Sequence, residues 1–250
     1  MIKFLSPLKP LKPLKPAYHL FLKVFKIRRV LDAKAYVGTV KKSGALQLEL
    51  LKKEDCVPSS KVLEIGCGYL HLGKYLIDFL DKSNYVGVDP NDWLRNLAIK
   101  KDELSELIHR KAAVFLNNEN FDATEVGKEF DFIFSHSILS HAAHWQLNQY
   151  LENCLKVLAE EGVILASIRL AEGNEFGSKG NNGEDSGCQE WKYPGVSYFT
   201  WATVKETAKK LGLSAIYKPE YTAFYIQERP GEYHDWIVFR RNKGSNRQNS

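Results

Sequence analysis

The sequence predicts an α/β fold: a mostly parallel sheet covered by helices on both faces. Three observations predict it. Short apolar runs alternate with helical patterns between Lys61 and Ile168, the signature of strands joined by crossover helices. A glycine pair, Gly66 and Gly68, ends the first apolar run. The last two apolar runs, Leu213–Tyr217 and Trp236–Arg240, close the pattern as strands.

The chain has 250 residues, 44% hydrophobic and 26% charged, enough for a sizeable core and typical of a globular protein. No apolar run reaches the roughly 18 residues of a membrane span. Lysines and prolines interrupt the N-terminus, so a secretory signal is not expected. Cys56, Cys67, Cys154 and Cys188 are widely spaced with no CxxC pair. That argues against a zinc site or disulfide framework and suits a cytoplasmic protein.

Net charge is +5, but residues 1–31 hold eight Lys/Arg before the first acid, Asp32, and the tail from Arg240 holds four more bases without an acid. Without those twelve, 23 bases face 30 acids. An acidic body with basic ends does not describe a nucleic-acid binder.

Residues 1–35 form a basic arm. Its three Pro-Leu-Lys units, Pro7 to Lys15, favour polyproline II. The stretch Tyr18–Leu31 interleaves apolar residues with Lys23, Lys26, Arg28 and Arg29. Two readings stand: peripheral contact with an anionic membrane or acidic partner through residues 1–31, or a helix packed on its own domain or a second subunit.

The main domain is expected over residues 36–241. A helical pattern runs from Ser43 through Leu46, Leu48, Leu50 and Leu51. Strands follow at Lys61–Ile65, Tyr85–Val88, Ala112–Leu116, Phe130–Phe134 and Val163–Ile168. Helices are predicted from Leu70 to Leu80, Trp93 to Leu107, and Leu147 to Leu158 with a stop at Gly162. Residues 171–198 hold six glycines among asparagines and acids, which reads as a lid or substrate loop. Trp191, Tyr193, Tyr198, Phe199 and Trp201 surround its end, as an acceptor wall or as anchors to the sheet. Thr200 caps a helix through Lys210 that stops at Gly212. Residues 242–250 read as a disordered tail.

The candidate ligand site is the strand–loop–helix around Glu64-Ile65-Gly66-Cys67-Gly68, with Asp89 ending the next strand 23 residues after Gly66. Glycines let the backbone turn sharply and approach a ligand without a Cβ in the way. An acid at this distance accepts hydrogen bonds from ribose hydroxyls. Glu64 would repel a pyrophosphate but suit a ligand carrying a sulfonium and an ammonium. The third glycine, Gly73, also comes later than in Gly-x-Gly-x-x-Gly.

On these residues the chain resembles the class I S-adenosylmethionine-dependent methyltransferases. Val62–Gly68 resembles their first motif and Tyr85–Asp89 their second; Phe130–Ser135 is similar to their fourth strand, and Leu158–Ile168 to the helix-turn-strand that follows. The resemblance implies a Rossmann-like seven-stranded sheet with a C-terminal antiparallel hairpin, and S-adenosylmethionine as cofactor. It implies that Glu64, Gly66 and Gly68 hold the methionine part and Asp89 the ribose, helped by Asn91 or Asp92. Asn120 and Phe121 would lie beside adenine, although the family's usual acid there is displaced to Asp122. Ser135 and His136 would face the transferred methyl.

A neutral hydroxyl acceptor needs a base, and His136, His141 and His144 follow the fourth strand. His136 or His141 is the candidate general base; packing or capping of the next helix is the alternative. His141 and His144 are three apart, but no third ligand suggests itself, so no metal is expected. No Asn-Pro-Pro-Tyr-like tetrad follows the strand, only Ser135-His136-Ser137-Ile138. The acceptor is therefore expected to be an oxygen of a small-molecule, glycan or lipid-linked compound. The competing functions are a non-catalytic S-adenosylmethionine-fold module that docks a partner or membrane through its basic arm, and an NAD-dependent oxidoreductase.

Overall fold

The computed structural model describes residues 43–176, 196–231 and 233–242, all within one compact unit. The expectations for the N-terminal arm, for Cys188, for most of the 171–198 loop with Trp191 and Tyr193, and for the tail beyond Asn242 lie outside the described residues.

Helix α1 (Ser43–Lys53) leads to β1 (Val62–Ile65), α2 (Gly73–Phe79), β2 (Tyr85–Val88), α3 (Asp92–Lys101), α4 (Ser105–Lys111) and β3 (Val114–Leu116). Then come β4 (Phe130–Ser135), α5 (His144–Val157) and β5 (Leu158–Ile168). A two-stranded ribbon, β6 (Glu175–Phe176) with β7 (Ser197–Tyr198), precedes α6 (Trp201–Lys210), β8 (Leu213–Tyr217), α7 (Pro219–Glu228) and β9 (Asp235–Arg241).

The seven-stranded sheet has the order β3-β2-β1-β4-β5-β9-β8. Strands β1 to β5 are parallel, and β9 runs antiparallel to both β5 and β8. This is the mostly parallel sheet with a C-terminal antiparallel pair that the sequence predicts. No described helix is long and apolar enough to cross a membrane.

Alternation along the strands sorts side chains onto two covered faces. Leu63, Ile65, Ile133 and Ile164 pack under α5 and α6, against Tyr150, Leu151 and Val204. Val62, Phe132, Phe134, Leu165 and Trp236 pack on the other face, against Leu50, Leu76, Tyr221 and Tyr225 of α1, α2 and α7. Buried Glu54, after α1, accepts hydrogen bonds from Tyr221 (2.6 Å) and Arg240 (2.7 Å) and pairs with Lys218 (3.1 Å), tying α1 to α7 and β9.

Two expectations need correction, and one helix is additional. The helix expected from Trp93 to Leu107 is two helices, because the chain breaks at Asp102–Leu104 with Glu103 in the left-handed region (φ 53°). The helix before β5 stops at Val157, short of Gly162, because Leu158 already pairs with Phe130. Helix α7, unforeseen in the sequence, begins at Pro219, where a missing N–H costs nothing. Elsewhere the signals hold: the Thr200 hydroxyl accepts from the Thr203 N–H at 3.1 Å and caps α6, and Gly212 follows that helix at φ 73°.

Candidate functional site

In an open sheet of this order the succession of strands switches sides between β1 and β4, and ligands bind beyond the carboxyl ends of the strands at that point. Ile65 pairs with both Val88 and Ser135, Ser135 with Ala166, and Ile168 with Asp235. The segments that follow β1, β2, β4 and β5, and the one that precedes β9, therefore meet at a single edge.

After β1 the backbone turns through Gly66 (φ 80°) and Gly68 (φ 37°), and the Gly66 N–H donates to the Val88 carbonyl at 2.8 Å. A Cβ on Gly66 would run into the Ile138 side chain, which comes from the loop after β4. Asp89 receives two backbone donors: Gly68 N–H to Oδ2 (2.9 Å) and Asn91 N–H to Oδ1 (2.7 Å). Its carboxylate thus joins the glycine loop to the start of α3. Gly66, Gly68, Asp89 and Asn91, chosen from sequence, stand together.

Glu64 lies behind this loop. It is buried on the α2 face, where the Tyr85 hydroxyl donates to its Oε2 at 2.6 Å. Burial pushes its pKa up to about 8, which the Tyr85 hydrogen bond opposes and the nearby Asp89 charge reinforces. Only a small residue fits over this carboxyl. A Cβ on Gly73 would lie 2.7 Å from the Tyr85 hydroxyl and 3.1 Å from Glu64 Oε2.

The residues after β3 take other positions. Phe121 is buried in the core, edge-on to Tyr150 at 5.6 Å, with φ 66°. Asn120 offers its carbonyl to Asn153 Nδ2 at 2.6 Å. Asn117, at the carboxyl end of β3, accepts from Arg95 Nη2 at 2.9 Å. Sequence reading passed over this pair because neither residue belongs to a motif.

At the end of β4 the alternation separates neighbours. Ser135 is fully buried on the α5 face, 2.9 Å from the Tyr150 hydroxyl. His136 lies on the opposite face among aromatic rings: stacked on Trp236 (5.4 Å, 18°), 4.7 Å from His234 and 5.3 Å from Tyr225. Burial lowers its pKa well below the ordinary 6.5, and His234, Arg229 and His71 add to the effect. His234 is likewise lowered to about 3 and His71 to about 4, in each case chiefly by burial. Near neutral pH these imidazoles are unprotonated and, with pKa values held this low, weak bases.

His141 ends a short 3-10 turn, Leu139–His141, near enough to His234 to oppose its protonation. His144 opens α5, packs on Phe199 (4.6 Å) and has Nε2 3.3 Å from the Tyr198 carbonyl, so it serves packing. Sequence reading missed His71, His234, Trp236 and Tyr225. They come from three other segments, and only the fold brings them to His136. Among the described residues no group of three or more His, Cys, Asp or Glu is placed to hold a metal.

Residues 63–164 match the family model of a methyltransferase domain. The sequence matches no curated protein. Among solved structures, one described as a DhpI–SAH complex superposes with TM-score 0.57 at 15% identity, over 89% of this chain and 95% of that one. The magnesium protoporphyrin IX methyltransferase ChlM from Synechocystis PCC 6803 with bound SAM gives 0.56 at 12% identity, over 85% and 91%. The [4+2]-cyclase SpnF also gives 0.56 at 12% identity, over 80% and 81%. At such identities the likeness is one of fold.

Proposed function

We propose that the chain is an S-adenosylmethionine-dependent methyltransferase acting on an oxygen of a small-molecule, glycan or lipid-linked acceptor, because residues 63–164 match the model of a methyltransferase domain and the fold is that of solved structures with bound SAM or SAH. One observation carries the reading: Asp89, at the end of β2, is held by the Gly68 and Asn91 N–H groups beside the turn at Gly66. Each carboxylate oxygen there keeps lone-pair capacity for a ribose hydroxyl. At Gly68 the nearest atom to a Cβ position is 3.5 Å away, so the turn leaves its backbone open there.

When bound, S-adenosylmethionine supplies an activated methyl group on a sulfonium. The protein's part is then to position the acceptor, exclude water and take up a proton. Gly66, Gly68 and Asp89 hold the donor, with Asn91 at the ribose. Ser135 braces the end of β4 through Tyr150, while Asn120 and Phe121, the candidates for the adenine side, are held by Asn153 and Tyr150. His136 and His141 are the candidate bases. Of the two, His136 directly follows β4 at its carboxyl end; to act as a base it needs the bound acceptor to raise its lowered pKa.

A structural neighbour named as a cyclase illustrates that one fold hosts several chemistries. The test is therefore direct transfer. Isotopically labelled methyl from S-adenosylmethionine is followed into pools of hydroxylated acceptors, with pH–rate profiles for wild type, His136→Ala and His141→Ala. Labelled ether products and a large loss of turnover in His136→Ala are expected. Near-wild-type turnover in both variants would remove the histidines from the chemistry. Cofactor binding without transfer to any acceptor would favour a non-catalytic docking module.

A further inference from the structure

Asp89 and Asn117 follow neighbouring strands at the same level of the sheet. Val88 pairs with Leu116, and the Asp89 N–H donates to the Leu116 carbonyl at 3.1 Å. The sheet order sets the glycine loop after β1, Asp89 after β2 and Asn117 after β3 in a row along one edge. A ligand with its methionine part at the glycine loop and its ribose on Asp89 therefore extends its base toward Asn117.

Most polar side chains of the segment after β3 are engaged within it. Asn118 donates to the Asp122 carbonyl at 2.8 Å and accepts from the Asp122 N–H at 3.3 Å. The Asp122 carboxylate takes the N–H and the hydroxyl of Thr124, both at 2.8 Å. Asn117 differs. It is exposed, and among the described residues its side chain bonds only Arg95, whose Nη2 donates to Oδ1 at 2.9 Å.

Arg95 fixes which way this amide faces. A guanidinium only donates, so Asn117 must turn Oδ1 toward it and present both Nδ2 hydrogens on the other side. Arg95 is buried, with its guanidinium over the Phe115 ring at 5.0 Å. Among the described residues no carboxylate pairs with it. Burying an unpaired charge is costly, and the bond to Asn117 sets the orientation of an exposed amide beside Asp89.

We propose that Asn117 donates from Nδ2 to a ring nitrogen of the adenine of S-adenosylmethionine, and that Arg95 is the positioning residue that holds the amide in that orientation. The polarities match: the ring nitrogens N1, N3 and N7 of adenine offer lone pairs, whereas the ribose hydroxyls donate to Asp89. This rests on the methyltransferase reading and deepens it by naming the contact that reads the base.

The test is calorimetric titration of the full chain with S-adenosylhomocysteine and its 1-deaza, 3-deaza and 7-deaza analogues, each lacking one ring acceptor. One analogue should bind wild type roughly tenfold more weakly than the parent compound. Asn117→Asp keeps an acceptor for Arg95 but removes the donors, so it should erase that difference and weaken S-adenosylhomocysteine roughly tenfold. The Tm of the free protein should meanwhile hold or rise, since Arg95 gains a carboxylate partner; a merely structural pair would not send stability and affinity in opposite directions. Arg95→Met frees the amide to turn and should narrow the analogue difference, and an unchanged difference would remove Arg95 as the positioning residue. Three analogues that all bind wild type like the parent, or an Asn117→Asp variant that binds the parent like wild type, would overturn the assignment. Adenosine and its deaza analogues, titrated alongside, separate the two readings. The same pattern with adenosine but no binding of S-adenosylhomocysteine would keep the contact and remove the methyltransferase reading; no binding of either would overturn both.

Discussion

The Tyr85 hydroxyl donates to Glu64 Oε2 at 2.6 Å across the paired strands β1 and β2. The acid that opens the glycine loop is therefore part of the sheet's interior, under the loop.

The first prediction concerns Glu64. Its pKa is raised to about 8 in the folded protein, against an ordinary 4.5. The folded state thus holds this proton longer than the unfolded state, and Glu64 makes stability fall as pH rises from about 4.5 through about 8. Between about pH 7.5 and 8.5, where unfolded-state histidines are largely neutral and Glu64 titrates, this slope should stand out in wild type. Glu64→Gln keeps an oxygen for Tyr85 and removes the titration. Thermal melts should show a declining Tm for wild type over that window and a flatter one for Glu64→Gln; parallel curves would refute the assignment.

A second prediction follows from the imidazoles. His71, His136 and His234 all have lowered pKa values in the fold, chiefly through burial. Their stabilising contribution is complete above the unfolded value near 6.5 and is lost as pH falls toward the folded values, because the unfolded chain takes up protons first. Denaturant titrations from pH 7 to 4.5 should show stability falling in wild type with a shallower fall in His234→Gln. Equal slopes in the two proteins would mean that His234 is accessible to protons in the folded state.

The third prediction concerns Gly66. Its φ of 80° is unfavourable for any residue with a Cβ, by about 1–2 kcal/mol, and Ile138 fills the space that a Cβ would take. Gly66→Ala should therefore be destabilised by more than the backbone term alone. Combining it with Ile138→Ala should recover the steric part and leave the backbone part, so the two substitutions should be non-additive. Additive losses in a double-mutant cycle would separate Ile138 from the loop.

Much of this arrangement was legible in the sequence, for local reasons. The strand Leu213–Tyr217 and the Thr200 cap were read directly, because alternation and capping act over a few residues. The loop from Gly66 to Gly68 and Asp89 were legible because strand ends fix where turns and acids fall. The break at Glu103 was hidden, since Leu104 and Leu107 continue the apolar pattern through it. The placement of Phe121 in the core was hidden for a different reason: its partner, Tyr150, lies on α5. His136 was singled out from its strand, but Trp236 and His234 reach it only because β9 inserts between β5 and β8. Non-local insertion of that kind leaves no spacing to read.

The most direct test of the central claim is calorimetric titration of S-adenosylmethionine and of NAD into wild type and Asp89→Asn. Asp89 is a charged acceptor at the end of β2, and hydrogen bonds to such groups contribute about 1.5–3 kcal/mol. We expect S-adenosylmethionine to bind wild type, to bind Asp89→Asn roughly 10- to 100-fold more weakly, and NAD to give no binding heat. Binding of NAD in preference to S-adenosylmethionine, or equal affinity of wild type and Asp89→Asn for S-adenosylmethionine, would contradict the account.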